Sequence, residues 1–150
     1  KSKEEIESII QRLSELTGKS GNGDFTEQAF LNWDEIKVMA GNGISFGSHG
    51  KSHAILTRLE KHEVEKEAFE SRALMEENLG TPVFSFSYPN GDYSEEVAEI
   101  VKHSGYRVAF ATDRGTQHAN DHSFKIRRIN IHEDMTDNIP MFMARIVGLW

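Results

Sequence analysis

The sequence predicts an α/β fold in which β/α units repeat around a parallel sheet. Short apolar runs bounded by turn residues read as strands at 44–47, 83–88, 106–111 and 125–131. Segments of helical periodicity lie between them, at 33–40, 61–79, from Ser94 to Gly105, and at 138–147. The two kinds alternate along the chain, and strands alternating with helices pair in parallel. A length of 150 residues suits one domain with chain enough to bury a core.

The elements follow from local chemistry. Ile6, Ile9, Ile10, Leu13 and Leu16 recur at helical spacing, with Glu4 and Glu5 at the favourable N-terminal end and Gly18 as a stop. Gly18 to Asp24 reads as a flexible loop. It contains Gly-Lys-Ser but lacks the glycine pattern and the preceding strand of a phosphate-binding loop. Asn32 caps a helix starting at Trp33, and Gly41-Asn42-Gly43 ends it. Trp33 reads as a core anchor more readily than as a sugar platform.

The helix 61–79 should bury Val64, Ala68, Met75 and Leu79, its charge run forming a solvated face until Gly80-Thr81-Pro82 breaks it. Residues 83–88 alternate as a strand does and end at the turn Pro89-Asn90-Gly91. Ser94 caps a helix with Val97, Ile100 and Val101 inward. The last helix is expected to bury Phe142, Ile146 and Leu149.

Composition narrows the function. The formal net charge of −7 argues against nucleic acid, whose phosphates select basic patches. No apolar run approaches the roughly 20 residues of a membrane span. With no cysteine, a metal would be held by nitrogen and oxygen, and the compartment stays open. The chain begins at Lys1 rather than Met, as expected of a processed chain or a piece of a longer one.

Ser48-His49-Gly50-Lys51-Ser52-His53 carries the strongest chemical signal. Two imidazoles four residues apart lie on one face of a helical turn, close enough to share a metal ion. Seven histidines in this length give roughly one third of such a pair by chance, and His118/His122 repeats the spacing in a polar loop. Turn histidines satisfied by the backbone are the competing reading. Placement separates the two pairs. In β/α folds chemistry gathers beyond the carboxyl ends of the strands. His49/His53, Tyr88-Pro89-Asn90-Gly91 and His132-Glu133-Asp134 each follow a strand, whereas His118/His122 sit mid-loop. Asp113 and Arg114 also follow a strand, as a cleft wall or as a loop ion pair.

The segments Phe30–Ile36 and Gly43–His53 resemble a conserved block of the polysaccharide deacetylases, the NodB-like carbohydrate esterases. That block has a tryptophan-led helix, a glycine-led strand, Gly-Ser-His, three residues and a second His. Phe86–Ser94 resembles the next block, and Gly105–Ala111 and Arg127–Ile131 the later strands. The likeness covers about residues 30 to 149. It implies a distorted (β/α) barrel and metal-dependent removal of N-acetyl groups from an amino-sugar polysaccharide, in an extracellular or cell-envelope setting. It further implies a divalent metal, commonly zinc, on His49 and His53. Tyr88, Pro89 and Asn90 would line the substrate groove, the Asn90 amide stabilising the oxyanion. His132 would be the catalytic acid on the leaving amine.

The sequence departs from the family in three places. The Thr-Phe-Asp-Asp block that supplies base and third ligand is absent, and is expected upstream of Lys1 together with the opening strands. The domain 1–150 is thus read as N-terminally truncated, with 1–24 as helix and flexible loop and 25–150 as core. Two histidines hold metal weakly, so a depleted or water-completed site, inactive alone, is expected. Ser87 stands where the family often has arginine, and His132 where many members have an acidic residue. Two functions therefore remain: a deacetylase, or a non-catalytic deacetylase-like module that binds glycan or supports a partner domain.

Overall fold

The computed structural model describes residues 8, 11, 12, 15, 30–116, 122–132 and 136–148. Two units divide the chain, Lys1–Ile36 and Lys37–Trp150. In the first, Ser8, Gln11, Arg12 and Glu15 are helical and exposed, with Gln11 Nε2 donating to Glu15 Oε1 at 3.3 Å. The apolar positions expected on that helix, and the Gly18–Asp24 loop, lie outside the described residues.

Helix α1 spans Trp33–Gly41. Asn32 starts it with a reciprocal cap. Its Oδ1 accepts from the amides of Asp34 and Glu35 at 3.0 Å, and Glu35 Oε2 accepts from the Asn32 amide at 2.8 Å. Trp33 is half-buried.

A parallel sheet organises the second unit, with β1 (Ser85–Ser87), β2 (Val108–Arg114) and β3 (Ile126–Arg128) in that spatial order. Register pairs Phe86 with Ala109 and Phe110 with Ile126. Beyond the far edge of β1, Ser48 forms one parallel bridge with Phe86. The Ser48 amide donates to Ser85 at 2.9 Å, and the Ser87 amide to Ser48 at 2.8 Å. The strand expected at 44–47 is therefore reduced to a single bridge at residue 48. A Cβ at Gly47 would lie 2.3 Å from Ser85 Oγ, so glycine is what permits the chains to approach there.

Helix α2 (Lys61–Leu79) has the expected bounds. Glu60 and Glu63 cap its start, and Gly80 ends it at φ 67°. Helix α3 (Glu95–His103) connects β1 to β2 and is capped by Ser94 Oγ, which accepts from the Val97 amide. The core lies between these helices and one sheet face. Leu56, Val64, Ala68, Phe86, Tyr88, Val97, Val101, Tyr106, Ala109 and Ala111 are all buried there, with Met75 and Leu79 packed against them. Burial alternates along β2, Ala109 and Ala111 facing the core while Val108 and Phe110 face away.

Two expectations change. Helix α4 (Ile139–Ile146) forms behind the Asn138 cap, whose Oδ1 accepts from the Met141 amide at 2.9 Å. Yet Phe142 is 38% exposed and Ile146 40% exposed, because periodicity predicts an apolar face without supplying a partner for it; Leu149 lies outside the described residues. The charged side chains of α2 are not simply solvated. Arg72 donates to the carbonyls of Val83 and Ser104 and pairs with Glu76, tying the helix to the start of β1 and the end of α3. No described helix is long and apolar enough to cross a membrane.

Candidate active site

The face of the sheet turned away from the helices carries the candidate site. Gly47, Ser48, His49, Ser85, Ser87, Phe110 and Arg128 surround a hollow of about 370 Å³. His49 follows the Ser48 bridge, at the C-terminal end of the parallel array. Its Nδ1 lies 2.6 Å from the carbonyl oxygen of Ser87. A carbonyl only accepts, so Nδ1 carries the proton and Nε2 presents its lone pair. Metal-binding histidines are oriented by this kind of outer contact.

His53 meets His49 edge to face with ring centroids 4.8 Å apart. The chain reverses between them through Gly50 at φ 82°, and His53 itself sits at φ 59°. That left-handed conformation costs a non-glycine residue on the order of 1 kcal/mol. The link is held from α2. Glu67 Oε2 accepts from the amides of Lys51 at 2.8 Å and Ser52 at 2.9 Å, and Oε1 accepts from Ser52 Oγ at 2.6 Å. Burial pushes the Glu67 carboxyl up, but these hydrogen bonds prevail and hold it below the usual carboxylate range. Lys51 pairs with Glu70 one turn away.

Below the histidines a buried hydroxyl network supports Ser48. Ser48 Oγ donates to Ser71 Oγ at 2.8 Å and accepts from the Gly50 amide at 3.3 Å. Ser71 and Tyr106 both donate to the Ala68 carbonyl, at 3.1 and 3.0 Å. Burial raises the Tyr106 phenol, with Ser48 and Ser71 partly opposing it.

The remaining candidates are placed as follows. Tyr88 is fully buried, its hydroxyl donating to the Phe124 carbonyl at 3.0 Å, and Pro89 is buried beside it. Their side chains thus belong to the core, and what this turn offers a ligand is its backbone. Asn90 is exposed at φ 59° and donates from Nδ2 to Asp92 at 2.8 Å. Gly91 takes φ 81°, and a Cβ there would meet Thr112 Oγ1 at 2.0 Å. His132 is exposed beyond β3, and among the described residues no hydrogen bond or ring contact joins it to the histidine pair. His118, Glu133 and Asp134 lie outside the described residues. His122 is exposed in a second hollow with Tyr93, Asp113, Arg114, Lys125 and Arg127. Asp113 and Arg114 fall within the end of β2 rather than in a loop, and Asp113 accepts from the Tyr93 hydroxyl at 3.0 Å.

Sequence reasoning missed Glu67. It occupies the border of the Val64, Ala68 and Ser71 stripe on α2, one residue before a fully buried alanine. A carboxylate at such a border is placed to reach into the neighbouring loop rather than into water.

Two imidazoles, one of them donating from Nδ1 to Ser87, suit a borderline divalent ion such as zinc. They fill two positions. Among the described residues no third His, Cys, Asp or Glu joins them.

This arrangement of parallel strands and connecting helices matches part of a (β/α) barrel. A sequence profile for polysaccharide deacetylase matches residues 22–109, and the chain belongs to that family. It is 26% identical over 106 residues to YxkH of Bacillus subtilis strain 168, which carries a polysaccharide deacetylase name; the match covers 71% of this chain and 38% of that protein. Among solved structures it resembles BC0361, a polysaccharide deacetylase from Bacillus cereus. The TM-score is 0.69 at 29% identity, covering 82% of this chain and 39% of the other. The fold also matches the Streptococcus pyogenes deacetylase PplD, solved in complex with acetate, at a TM-score of 0.74 and 21% identity. That match covers 82% of this chain and 54% of PplD. The chain thus spans about two fifths to one half of the length of these proteins.

Proposed function

We propose that the chain carries part of the active site of a metal-dependent hydrolase that removes N-acetyl groups from an amino-sugar polysaccharide. The observation that carries this reading is the His49/His53 pair, with His49 Nδ1 engaged by Ser87 and the rings 4.8 Å apart, in a member of the polysaccharide deacetylase family. His49 and His53 would hold a divalent metal, zinc by the nature of the donors. When bound, such an ion polarises an amide carbonyl and acidifies a water. The rest of its coordination would come from water, substrate or a carboxylate outside the pair.

The chain's own groups then divide the work of amide hydrolysis. Ser87 fixes the His49 ring, and Ser48 anchors the segment that carries it. The Asn90 amide would donate to the carbonyl oxygen as negative charge builds on it. As water oxygen bonds to the acetyl carbon, its proton would pass to a carboxylate base outside the pair, and as the carbon–nitrogen bond breaks His132 would donate a proton to the departing nitrogen. Acetate and a free amino sugar result. A cell-envelope or extracellular setting goes with such a polymer.

A second reading, a glycan-binding module without catalysis, draws on the absence of a carboxylate from the pair among the described residues. Acetate release from N-acetylglucosamine oligomers separates the two. It should be measured with and without added zinc, on this chain and on the complete product of its gene. The deacetylase reading expects zinc-dependent release by the complete product, abolished by His49→Ala. Binding of the oligomer with no acetate released under any of these conditions supports the module instead.

A further inference from the structure

We propose that Glu67 is a positioning residue for the histidine pair, fixing the three-residue link that sets one imidazole against the other. The proposal rests on the reading of His49 and His53 as a metal pair. Gly50, Lys51 and Ser52 are the only residues between the two histidines. Glu67 takes both consecutive amides of that link, and the Ser52 hydroxyl, on one carboxylate. Adjacent amides converging on a single anion form a nest, an arrangement that selects one backbone conformation.

The link needs such a selection. Gly50 is left-handed at φ 82°, and it leads into His53 at φ 59°, a conformation that carries a cost for a histidine. Without an acceptor the two amides would turn to water, and the His53 backbone could relax to negative φ. That relaxation would swing its ring away from His49. The other end of the link is held separately, since Gly50 donates to Ser48 Oγ, which in turn donates to Ser71. Residues 67 and 71 are one turn apart on α2, so a single rigid helix face sets both ends. Among the described residues no hydrogen bond or ion pair joins Glu67 to either imidazole, so its effect travels through the link.

The chemistry of the three contacts predicts which substitution is tolerated. Both amides use Oε2, while the Ser52 hydroxyl uses Oε1. Glutamine keeps one oxygen for the amides, and its NH₂ group can donate to a reversed Ser52 hydroxyl. Alanine removes every acceptor.

The test is a zinc titration of the full chain, followed through the ring ¹H–¹⁵N resonances of His49 and His53. In the parent, both rings should shift with one common dissociation constant. Glu67→Ala should raise that constant about tenfold or more, the range seen when outer contacts of metal ligands are lost. Glu67→Gln should bind about as tightly as the parent. In zinc-free protein, the Lys51 and Ser52 amides should exchange faster in Glu67→Ala while those of β2 are unchanged. If the alanine variant does not fold, Glu67→Met, a good helix former of similar length, carries the same expectations. Zinc binding that is lost in His49→Ala but unchanged in Glu67→Ala overturns the role of Glu67 alone. A parent whose two rings ignore zinc overturns the metal reading, and this proposal with it.

Discussion

The Nδ1 atom of His49 lies 2.6 Å from the carbonyl oxygen of Ser87, so a residue of β1 dictates which nitrogen of a histidine 38 positions earlier carries the proton. The contact turns a strand backbone into part of a side-chain site.

The first prediction concerns that proton. Long-range ¹H–¹⁵N correlation spectra of the neutral protein should show His49 as the Nδ1–H tautomer. Added zinc should perturb its Nε2. An Nε2–H tautomer in the free protein would contradict the geometry.

Acid stability provides a second. Glu67 is held below the ordinary carboxylate range, so the folded state favours its ionised form. The stability it contributes is therefore complete above the ordinary value of 4.5, and is lost as pH falls through the lowered folded value. Parent and Glu67→Gln should differ by less than about 1 kcal/mol near pH 7, since water screens this half-buried group, and should converge once pH falls below the lowered folded value. Melting temperature against pH measures it; a gap independent of pH contradicts the assignment.

Gly91→Ala should destabilise the chain by about 2 kcal/mol or more. The new Cβ would meet Thr112 Oγ1 at 2.0 Å, in a backbone conformation at φ 81°. Urea unfolding followed by fluorescence gives the number, and a loss within a few tenths of the parent would show that the turn can move aside.

Tyr106→Phe removes one of two donors to the Ala68 carbonyl and leaves Ser71 in place. A loss of about 1 kcal/mol is expected in the same assay. A much larger loss would mean that the hydroxyl network acts as one unit.

The sequence made the helices legible more fully than the strands. α2 begins and ends where expected because its signals are local: a Glu60/Glu63 cap and Gly80 in the left-handed conformation. Strand limits depend on a partner. β2 runs on through the polar residues Thr112, Asp113 and Arg114 because Arg114 pairs with Arg128, a relation no local pattern encodes. The run at 44–47 has the composition of a strand, yet only Ser48 bridges β1. α4 formed where periodicity put it, but Phe142 and Ile146 remain exposed, since amphipathicity predicts a face and not its cover.

For the site, the spacing of His49 and His53 was legible because only three residues separate them. Glu67, Ser71 and Ser87 were not, because each acts across the fold, on backbone amides, on the Ser48 hydroxyl or through its own backbone carbonyl. Tyr88 and Pro89 read as groove residues from their motif, whereas the structure buries both side chains.

The turn that carries Asn90 is fastened along its length. The Tyr88 amide donates to Phe110, the Tyr88 hydroxyl to Phe124, and Thr112 Oγ1 to the Asn90 carbonyl, while Gly91 fits against Thr112 with no room to spare. Such a segment is tied to the sheet at several points. On the proposed function, a sugar polymer reaching it would be sorted by its fit to a surface already in place.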